Sequence, residues 1–424
     1  MTLMVGMAAT ADATDDARTA ALGIRKLSSK RLTLYTDVAD AEVDQLPAAF
    51  DQAFPQWCRY FGVDASKLAD WRLTACLMKA RSPFVTAGLL PSEVPVPEGR
   101  GYTRFDTFWL DDQPSDWYRR ELLLHEGTHG FMYTVLGDCG PPWYMEGMAE
   151  YLGTHRWEQG RLTLGYMPRS RDESPRWGRV PTIQRLVERN QMASLDSIIR
   201  YETTAHRQPE AYAWCWAVAT LLDRHPRYQQ RFRKLTQQVG QPDFNEQFHR
   251  LFQADWQELC EEWQLMAFGM EYGYDVVRSA VDFRPATVSP RSVRGPGADP
   301  DDPVHVAADR GWQNSGLRLE AGSRYRLTAA GRYQVAKEPK IWWCEPGGVS
   351  IRYYHGQPLG ILLAAVRPDH PPHDSPSALL RPTVVGLGTT LAPTESGTLF
   401  LKINDSAGEL DDNAGELTVR VEKE

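Results

Sequence analysis

Two histidines and a glutamate occupy the segment HEGTH at positions 125, 129 and 126. On a helix, residues four apart lie on one face, so His125 and His129 can direct two imidazole nitrogens at one ion. Neutral imidazole is a common zinc ligand, and zinc lowers the pKa of a bound water towards neutrality. Glu126 lies beside such an ion, where its carboxylate can deprotonate that water. The pattern therefore predicts zinc-dependent hydrolysis with Glu126 as general base.

A catalytic zinc site needs a third protein ligand, and the next helical segment offers two carboxylates. This segment, PPWYMEGMAEYLG, begins with two prolines, which favour the first turn of a helix. Glu146 and Glu150 follow four residues apart, and either one can reach back to the metal. The alternative is that both lie on a solvated helix face, which the neighbouring Trp143 and Met148 disfavour because carboxylates in apolar surroundings usually have a partner.

Together, HEGTH and PPWYMEGMAEYLG resemble the gluzincin metallopeptidases, especially a bacterial branch of that clan. The resemblance implies that His125, His129 and Glu146 bind zinc and that Glu126 is the general base. It implies that Glu150 orients one of the two histidines through the far ring nitrogen. The implied fold is thermolysin-like, with a small mixed sheet and a helical lobe. The G-x-M-E-N segment of the aminopeptidase branch is absent from the sequence, so endopeptidase and dipeptidyl cleavage stay open.

Peptide hydrolysis also needs a hydrogen-bond donor for the oxyanion of the tetrahedral intermediate. In gluzincins this donor is a tyrosine or histidine downstream of the glutamate ligand. The resemblance implies Tyr212, with His206 as the alternative. Tyr212 begins an apolar helical run, from which its hydroxyl could face a cleft. The competing interpretation is a core tyrosine whose hydroxyl is already hydrogen-bonded.

These residues lie in a chain of 424 residues, which is long enough for two or three domains. Residues 1–23 are interpreted as a tail or the remnant of a secretion signal. Residues 24–283 predict an α+β domain, in which strand signals at 30–37, 70–79 and 103–112 precede a mainly helical part. Residues 284–303 are rich in proline, glycine and charge, which is typical of a linker. Residues 304–424 show short alternating runs, which predict an all-β sandwich.

The carboxy-terminal segment NDSAGELDDNAG concentrates oxygen ligands between two strands, and calcium binds six to eight oxygens. The alternative is a hairpin loop whose Asx side chains bond to the backbone. The module also resembles the PA-I-type bacterial galactose lectins. That resemblance implies a calcium site formed by Asp405, the Glu409 carbonyl, Asp412 and Asn413, and a sugar-contacting role for His355. The surroundings of His355 differ from the lectins, so galactose specificity is not expected.

Composition excludes other classes of function. The net charge is −8 without a long basic run, so nucleic-acid binding is not expected. No apolar stretch approaches the roughly 18 residues of a membrane span. The six cysteines are scattered and form no C-x-x-C, which excludes zinc-ribbon and thioredoxin patterns but leaves disulfides and compartment open. Cys215, in an apolar helical run, is predicted to lie in the core.

Two functions remain. The first is a zinc metallopeptidase that acts on peptides or proteins, with an appended lectin-like module that binds calcium and glycans. Its expected location is outside the cytoplasm, secreted or periplasmic, although the sequence leaves a cytoplasmic location open. The second is a non-catalytic carbohydrate-binding protein on a peptidase-like scaffold. A purely structural zinc site is least favoured, because such sites are usually closed and cysteine-rich.

Overall fold

The structure is a computed structural model that describes residues 16–202, 208–290, 303–372 and 375–424. Residues 1–15 of the predicted tail, residues 291–302 of the predicted linker, and His206 lie outside the described residues. The chain divides into two compact units. The first comprises Met1–Cys139, Ala149–Tyr166 and Ser174–Trp177, and the second comprises Gly140–Met148, Met167–Glu173 and Gly178–Glu424.

Through residue 164 the described chain alternates helices and short strands. The helices are α1 (Asp16–Ala21), α2 (Leu46–Phe61), α3 (Arg81–Ala87), α4 (Asp116–Phe131) and α5 (Pro142–Gly153). The strands are β1 (Arg25–Ser28), β2 (Leu32–Thr36), β3 (Leu73–Met78), β4 (Gly101–Arg104), β5 (Thr107–Asp111), β6 (His155–Glu158) and β7 (Arg161–Leu164).

The first five strands form one mixed sheet in the order β1-β2-β3-β5-β4. Strands β2, β3 and β5 are parallel, whereas β1 and β4 pair antiparallel at the two edges. The central strands are almost continuously apolar because both of their faces are covered. Strand β4 is only half-buried, as is usual for an edge strand. The predicted small mixed sheet is therefore present.

One strand prediction was wrong in detail. The segment TRFDTFWLDD was predicted as one strand, but β4 and β5 form a hairpin within and just before it. Phe105 occupies the turn with φ of 56°, a conformation that phenylalanine rarely adopts. The turn lacks the glycine, asparagine or proline that would have indicated it, so the alternation of the sequence looked continuous.

An aromatic cluster joins α2 to the sheet and to the end of α4. The ring centroids of Phe54 and Trp71 are 5.1 Å apart, as are those of Phe50 and Trp57. The ring centroid of Phe131, the last residue of α4, lies 5.7 Å from that of Trp57. Aromatic rings bury large apolar areas and prefer such offset or edge contacts. This packing fixes α4 against α2.

Beyond residue 164 the helices come first and the strands follow. The helices are α6 (Arg179–Glu188), α7 (Leu195–Ile199), α8 (Pro209–Arg224), α9 (Gln229–Lys234), α10 (Phe244–Phe252), α11 (Trp256–Phe268) and α12 (Val276–Ser279). The strands are β8 (Val304–Ala307), β9 (Gln313–Leu319), β10 (Tyr325–Ala330), β11 (Tyr333–Ala336), β12 (Trp342–Cys344), β13 (Val349–Tyr354), β14 (Gln357–Leu359), β15 (Leu362–Pro368), β16 (Thr383–Val384), β17 (Gly388–Leu391), β18 (Gly397–Ile403) and β19 (Glu416–Lys423).

The carboxy-terminal strands form a sandwich of two antiparallel four-stranded sheets. Their orders are β17-β10-β19-β8 and β16-β15-β18-β9. Both sheets contribute to one apolar core, in which Leu327 and Val419 come from the first sheet and Leu399 and Leu401 from the second. Strand β10 alternates strictly between buried and exposed residues, as a sheet with one solvated face does.

The fold class predicted from the sequence, α+β with a carboxy-terminal all-β part, is confirmed. Cys215 is buried on α8, as its apolar neighbours indicated. None of the helices in the described part of the chain combines the length and the apolar character that crossing a membrane requires.

Candidate metal centre

Helix α4 carries the HEGTH segment, and its beginning and length follow from local sequence. The Ser115 side chain accepts a hydrogen bond from the backbone N–H of Tyr118 and caps the helix. Asp116 in the first turn complements the positive end of the helix dipole. Every residue from Leu123 to Phe131 is buried, so the two histidines lie inside the protein.

The two histidines converge as their spacing predicts. The Nε2 atoms of His125 and His129 are 3.1 Å apart, and their ring planes meet at 83°. Two nitrogens that each bind a tetrahedral zinc at about 2.0–2.1 Å lie roughly 3.3 Å from one another. The observed separation is close to that value. The imidazoles are therefore placed as a pair of ligands to one ion would be.

Helix α5 carries the two predicted carboxylates one turn apart. Three buried residues each offer one ligand atom, and these three atoms all lie within 4.8 Å of one another. The residues are His125, His129 and Glu146. Oε1 of Glu150 lies 3.4 Å from Nδ1 of His125. The residues predicted as zinc ligands are thus brought together, and Glu150 contacts the far ring nitrogen of a histidine, as the family resemblance implied.

Glu121 is a member of the site that the sequence analysis missed. It lies one turn before His125 on α4 and is 1% exposed. Glu121, His125 and Glu150 form a second group whose candidate ligand atoms lie within 4.8 Å of one another. Glu121 and His125 are four residues apart, which places both side chains on the same, buried face of the helix. This spacing was a signal in the sequence that Glu121 lies near the histidines.

The carboxylate of Glu126 contacts the edge strand β4. The hydroxyl of Thr103 donates to Oε2 of Glu126 at 2.5 Å, with the backbone carbonyl of Glu126 a weaker second acceptor at 3.1 Å. At Gly101, a Cβ atom would lie only 2.4 Å from Oε1 of Glu126. Only a glycine lets the strand approach this closely. Neither Gly101 nor Thr103 was predicted, because the contact joins a hairpin to a helix that starts some residues later.

Gly127, within the HEGTH segment, has a packing role. A Cβ atom there would lie 2.5 Å from Cε2 of Phe50 and 3.0 Å from Trp57 on α2. The sequence analysis treated this glycine only as a weak helix former. Its absent side chain permits the close approach of α4 to α2, which offsets the lower helix propensity.

The predicted oxyanion donors receive no further support from the described residues. Tyr212 is half-buried in the first turn of α8, and the guanidinium of Arg179 lies 5.5 Å from the centroid of its ring. His206 lies outside the described part of the chain. The choice between the two stays a prediction.

The carboxy-terminal loop brings together two of the predicted calcium ligands. Asp405 is fully buried, and its Oδ2 accepts a hydrogen bond of 2.8 Å from Nδ2 of Asn413. Its Oδ1 accepts another from the backbone N–H of Ser406 at 2.7 Å. Burial raises the pKa of Asp405 to about 6, and the nearby carboxylates Glu409 and Asp412 add to the effect.

The same loop holds buried oxygens that make no hydrogen bond within the described residues. These are Oδ1 of Asp412 and Oδ1 of Asn413. Burial also raises the pKa of Asp412. The carboxylate of Glu409 forms an ion pair with Arg352. The backbone carbonyl of Glu409, which is the predicted calcium ligand, accepts only a long hydrogen bond of 3.3 Å from the backbone N–H of Asp412. Buried oxygens without a donor, beside a buried carboxylate, suit a hard cation.

His355, the predicted sugar contact, is exposed but stacks against a helix end. Its ring stacks on Phe268, the last residue of α11, with a centroid distance of 5.4 Å and an interplanar angle of 24°. His355 has φ of 45° in the turn between β13 and β14. Its pKa is lowered, chiefly by burial. A phenylalanine therefore occupies one face of this imidazole.

Comparisons with known proteins add little to this geometry. No family model and no curated protein matches the chain. Among solved structures, the chain is similar to one described as "EclA N-terminal domain; PllA-like lectin", at 24% sequence identity. The match covers 28% of this chain and 93% of that chain, with a TM-score of 0.22.

Proposed function

We propose that the protein is a zinc-dependent metallopeptidase. The observation that carries the proposal is the 3.1 Å approach of the two Nε2 atoms of His125 and His129, buried on one helix with Glu126 between them in sequence. A hydrogen bond between the imidazoles would engage only the two histidines, whereas a carboxylate oxygen of buried Glu146 also lies within 4.8 Å of the histidine ligand atoms. A cation at this point would bind all three groups at once.

The residues present fit a catalytic zinc ion rather than a structural one. His125, His129 and Glu146 would hold it, which leaves the fourth position of a tetrahedral site open. When bound, zinc would supply a water molecule whose pKa is lowered towards neutrality. Glu150 would hold the His125 ring in place from its Nδ1 side, and such outer contacts also make a histidine ligand more basic.

Glu126 is the proposed general base, and its surroundings determine which oxygen takes the proton. The Thr103 hydroxyl already donates to Oε2. Oε1 is therefore the oxygen that removes a proton from the attacking water and then delivers it to the leaving amine. Tyr212 is the proposed donor to the oxyanion, with His206 as the alternative. Peptides or proteins are the proposed substrates, and the activity fits an extracytoplasmic location.

The test is hydrolysis of casein and of a mixed peptide library, followed by mass spectrometry, for wild type and Glu126→Gln. We expect the variant to bind as much zinc as wild type and to lose activity by about 10²- to 10⁴-fold, the usual contribution of a general base. Glu98→Gln, which changes an exposed glutamate, is the matched control and should behave like wild type. Activity retained in Glu126→Gln would disprove the proposal.

A second candidate function rests on the carboxy-terminal module. We infer that its loop binds calcium, because the buried Oδ1 atoms of Asp412 and Asn413 have no hydrogen-bond donor in the described residues and lie in the same loop as buried Asp405. The resemblance to the lectins also implies the backbone carbonyl of Val335 as a further ligand. Through this ion the module would bind glycans, with or without peptidase activity in the rest of the chain.

Calcium titration by calorimetry tests this second candidate. Wild type should bind one calcium, and Asp405→Asn should not. Asp411→Asn is the control, since the Asp411 carboxylate pairs with Arg169 instead. Calcium-dependent retention on immobilised glycans, together with no hydrolysis by wild type, would favour a binding protein over a peptidase.

A further inference from the structure

A cavity of about 420 Å³ opens in the second unit. Its walls are largely apolar and aromatic and include Phe268, Trp312, Tyr354 and Leu363. Pockets that hold small molecules usually have volumes of roughly 300–1,000 Å³, with apolar walls and a few polar groups that fix orientation. The size and the lining therefore fit a small organic ligand.

One cationic side chain, Lys402, faces this cavity. It lies on β18, where Leu399, Leu401 and Ile403 point into the core of the sandwich. Because side chains alternate along a strand, Lys402 points to the opposite face, where it is half-buried. Its Nζ lies 5.9 Å from the centroid of Tyr354. Lysine at this position interrupts an otherwise apolar strand.

Within the described residues, the Lys402 ammonium group makes neither a hydrogen bond nor an ion pair. Two carboxylates, Asp405 and Glu271, are near enough to favour its charge. Both already accept other donors, Asp405 from Asn413 and Glu271 from the Ser406 hydroxyl at 2.6 Å. The pKa of Lys402 is still lowered, because burial outweighs both carboxylates. An anion in contact with Nζ would stabilise the charged form.

Two other polar groups that line the cavity, Asn404 and His355, already make contacts within the protein. The side-chain amide of Asn404 already donates hydrogen bonds, because its Nδ2 lies 3.0 Å from the backbone carbonyl oxygens of both Tyr354 and Pro358. His355 presents a ring that already stacks on Phe268. A neutral sugar needs several hydrogen-bond partners and offers no charge to the ammonium group.

We propose that this cavity binds a small molecule that joins an aromatic or aliphatic body to a carboxylate. The body lies against Trp312, Tyr354 and Leu363, and the carboxylate pairs with the Lys402 ammonium. The site is independent of the proposed hydrolysis, because its lining includes none of the proposed zinc ligands, Glu126 or Tyr212. It also does not use the loop oxygens of Asp412 and Asn413.

The proposal is tested by isothermal titration calorimetry of the full chain. The two ligands compared are 4-phenylbutanoate and its neutral amide, 4-phenylbutanamide. The buffer contains EDTA, so that calcium cannot hold the carboxylate. We expect wild type to bind the acid at least about tenfold more tightly than the amide, as a charge-assisted contact in a partly buried site predicts. Lys402→Met should abolish this difference, and Lys402→Arg should keep it.

Several results would overturn the proposal. The acid and the amide could bind wild type equally well, or neither could bind at millimolar concentration. The acid could bind only when calcium replaces EDTA, which would place the carboxylate on the ion. Galactose could displace the acid from the calcium-loaded protein, which would indicate a sugar site. Lys402→Met should fold normally, because the lysine has no bond to lose; its thermal midpoint, measured beside that of Lys402→Arg, checks this.

Discussion

The hydroxyl of Thr103 lies 2.5 Å from Oε2 of Glu126 and donates a hydrogen bond to it. Thr103 stands on the edge strand β4 and Glu126 on the helix α4, so this bond ties the proposed general base to the sheet. Gly101, two residues earlier on the same strand, lies so close that a Cβ atom there would be only 2.4 Å from the other carboxylate oxygen. The carboxylate is thus held from one side by the strand, which restricts its orientation.

Thr103→Val tests whether this bond positions the base. The variant keeps the shape of the side chain and removes the donor, so we expect kcat to fall roughly tenfold, the effect of losing a hydrogen bond to a charged group. KM and zinc content should hardly change. Thr103→Ser restores the hydroxyl and should recover most of the activity. Activity retained in Thr103→Val but lost in Thr103→Ser would mean that the methyl group, not the bond, matters.

Glu150→Gln tests the contact between Glu150 and the proposed ligand His125. The carboxylate lies 3.4 Å from Nδ1 of His125, and removing such an outer partner typically lowers metal affinity by 10- to 100-fold. We expect zinc affinity, measured by competition with a chelating dye, to fall in that range. Glu158→Gln, an exposed glutamate, should leave it unchanged. Unchanged affinity in Glu150→Gln would contradict the assigned role.

His155 should make the folded state sensitive to acid. It is buried, its ring stacks on Trp117 at 4.9 Å, and Nδ1 lies 2.8 Å from the Gly153 carbonyl. Burial lowers its pKa to about 3, and the charge of Arg120 acts in the same direction. Below the unfolded pKa of about 6.5, the unfolded chain binds a proton that the folded protein does not, so stability falls as the pH drops from there towards 3.

Urea unfolding of the metal-free protein between pH 7 and pH 5 measures this effect. His155 alone contributes a loss of about 1.4 kcal/mol per pH unit below its unfolded pKa. His155→Asn should show a slope shallower by about that amount, whereas the exposed His305→Asn should match wild type. Identical slopes in all three proteins would show that His155 becomes protonated in the folded state.

The helices and the convergence of the proposed zinc ligands were predictable because their signals are local. The spacing of His125 to His129 requires only a helix, and the prolines before Glu146 mark where the next helix begins. Glu121 could have been found in the same way. Gly101 and Thr103 could not, because their contacts with Glu126 depend on how the β4–β5 hairpin folds back. The only sequence signal for the turn at Phe105 is the single aspartate, Asp106, that follows it.

In the sandwich, the strands were predictable from alternation, but the surroundings of single residues were not. His355 was predicted as a sugar contact from its position in a motif. Phe268, whose ring stacks on His355, lies on α11, far earlier in the sequence. Lys402 appeared only as a polar interruption in an apolar run. Contacts between residues so distant in sequence are set by tertiary packing, which no local pattern encodes.

Zinc content per chain tests the central claim most directly. Elemental mass spectrometry on protein purified without chelators should find about one zinc per chain in wild type and almost none in His129→Ala. The control variant His305→Ala, which changes an exposed histidine, should also hold about one zinc. That result would establish that the paired imidazoles of α4 hold the metal. No zinc in wild type, or zinc retained in full by His129→Ala, would contradict the proposed metal centre and with it the peptidase.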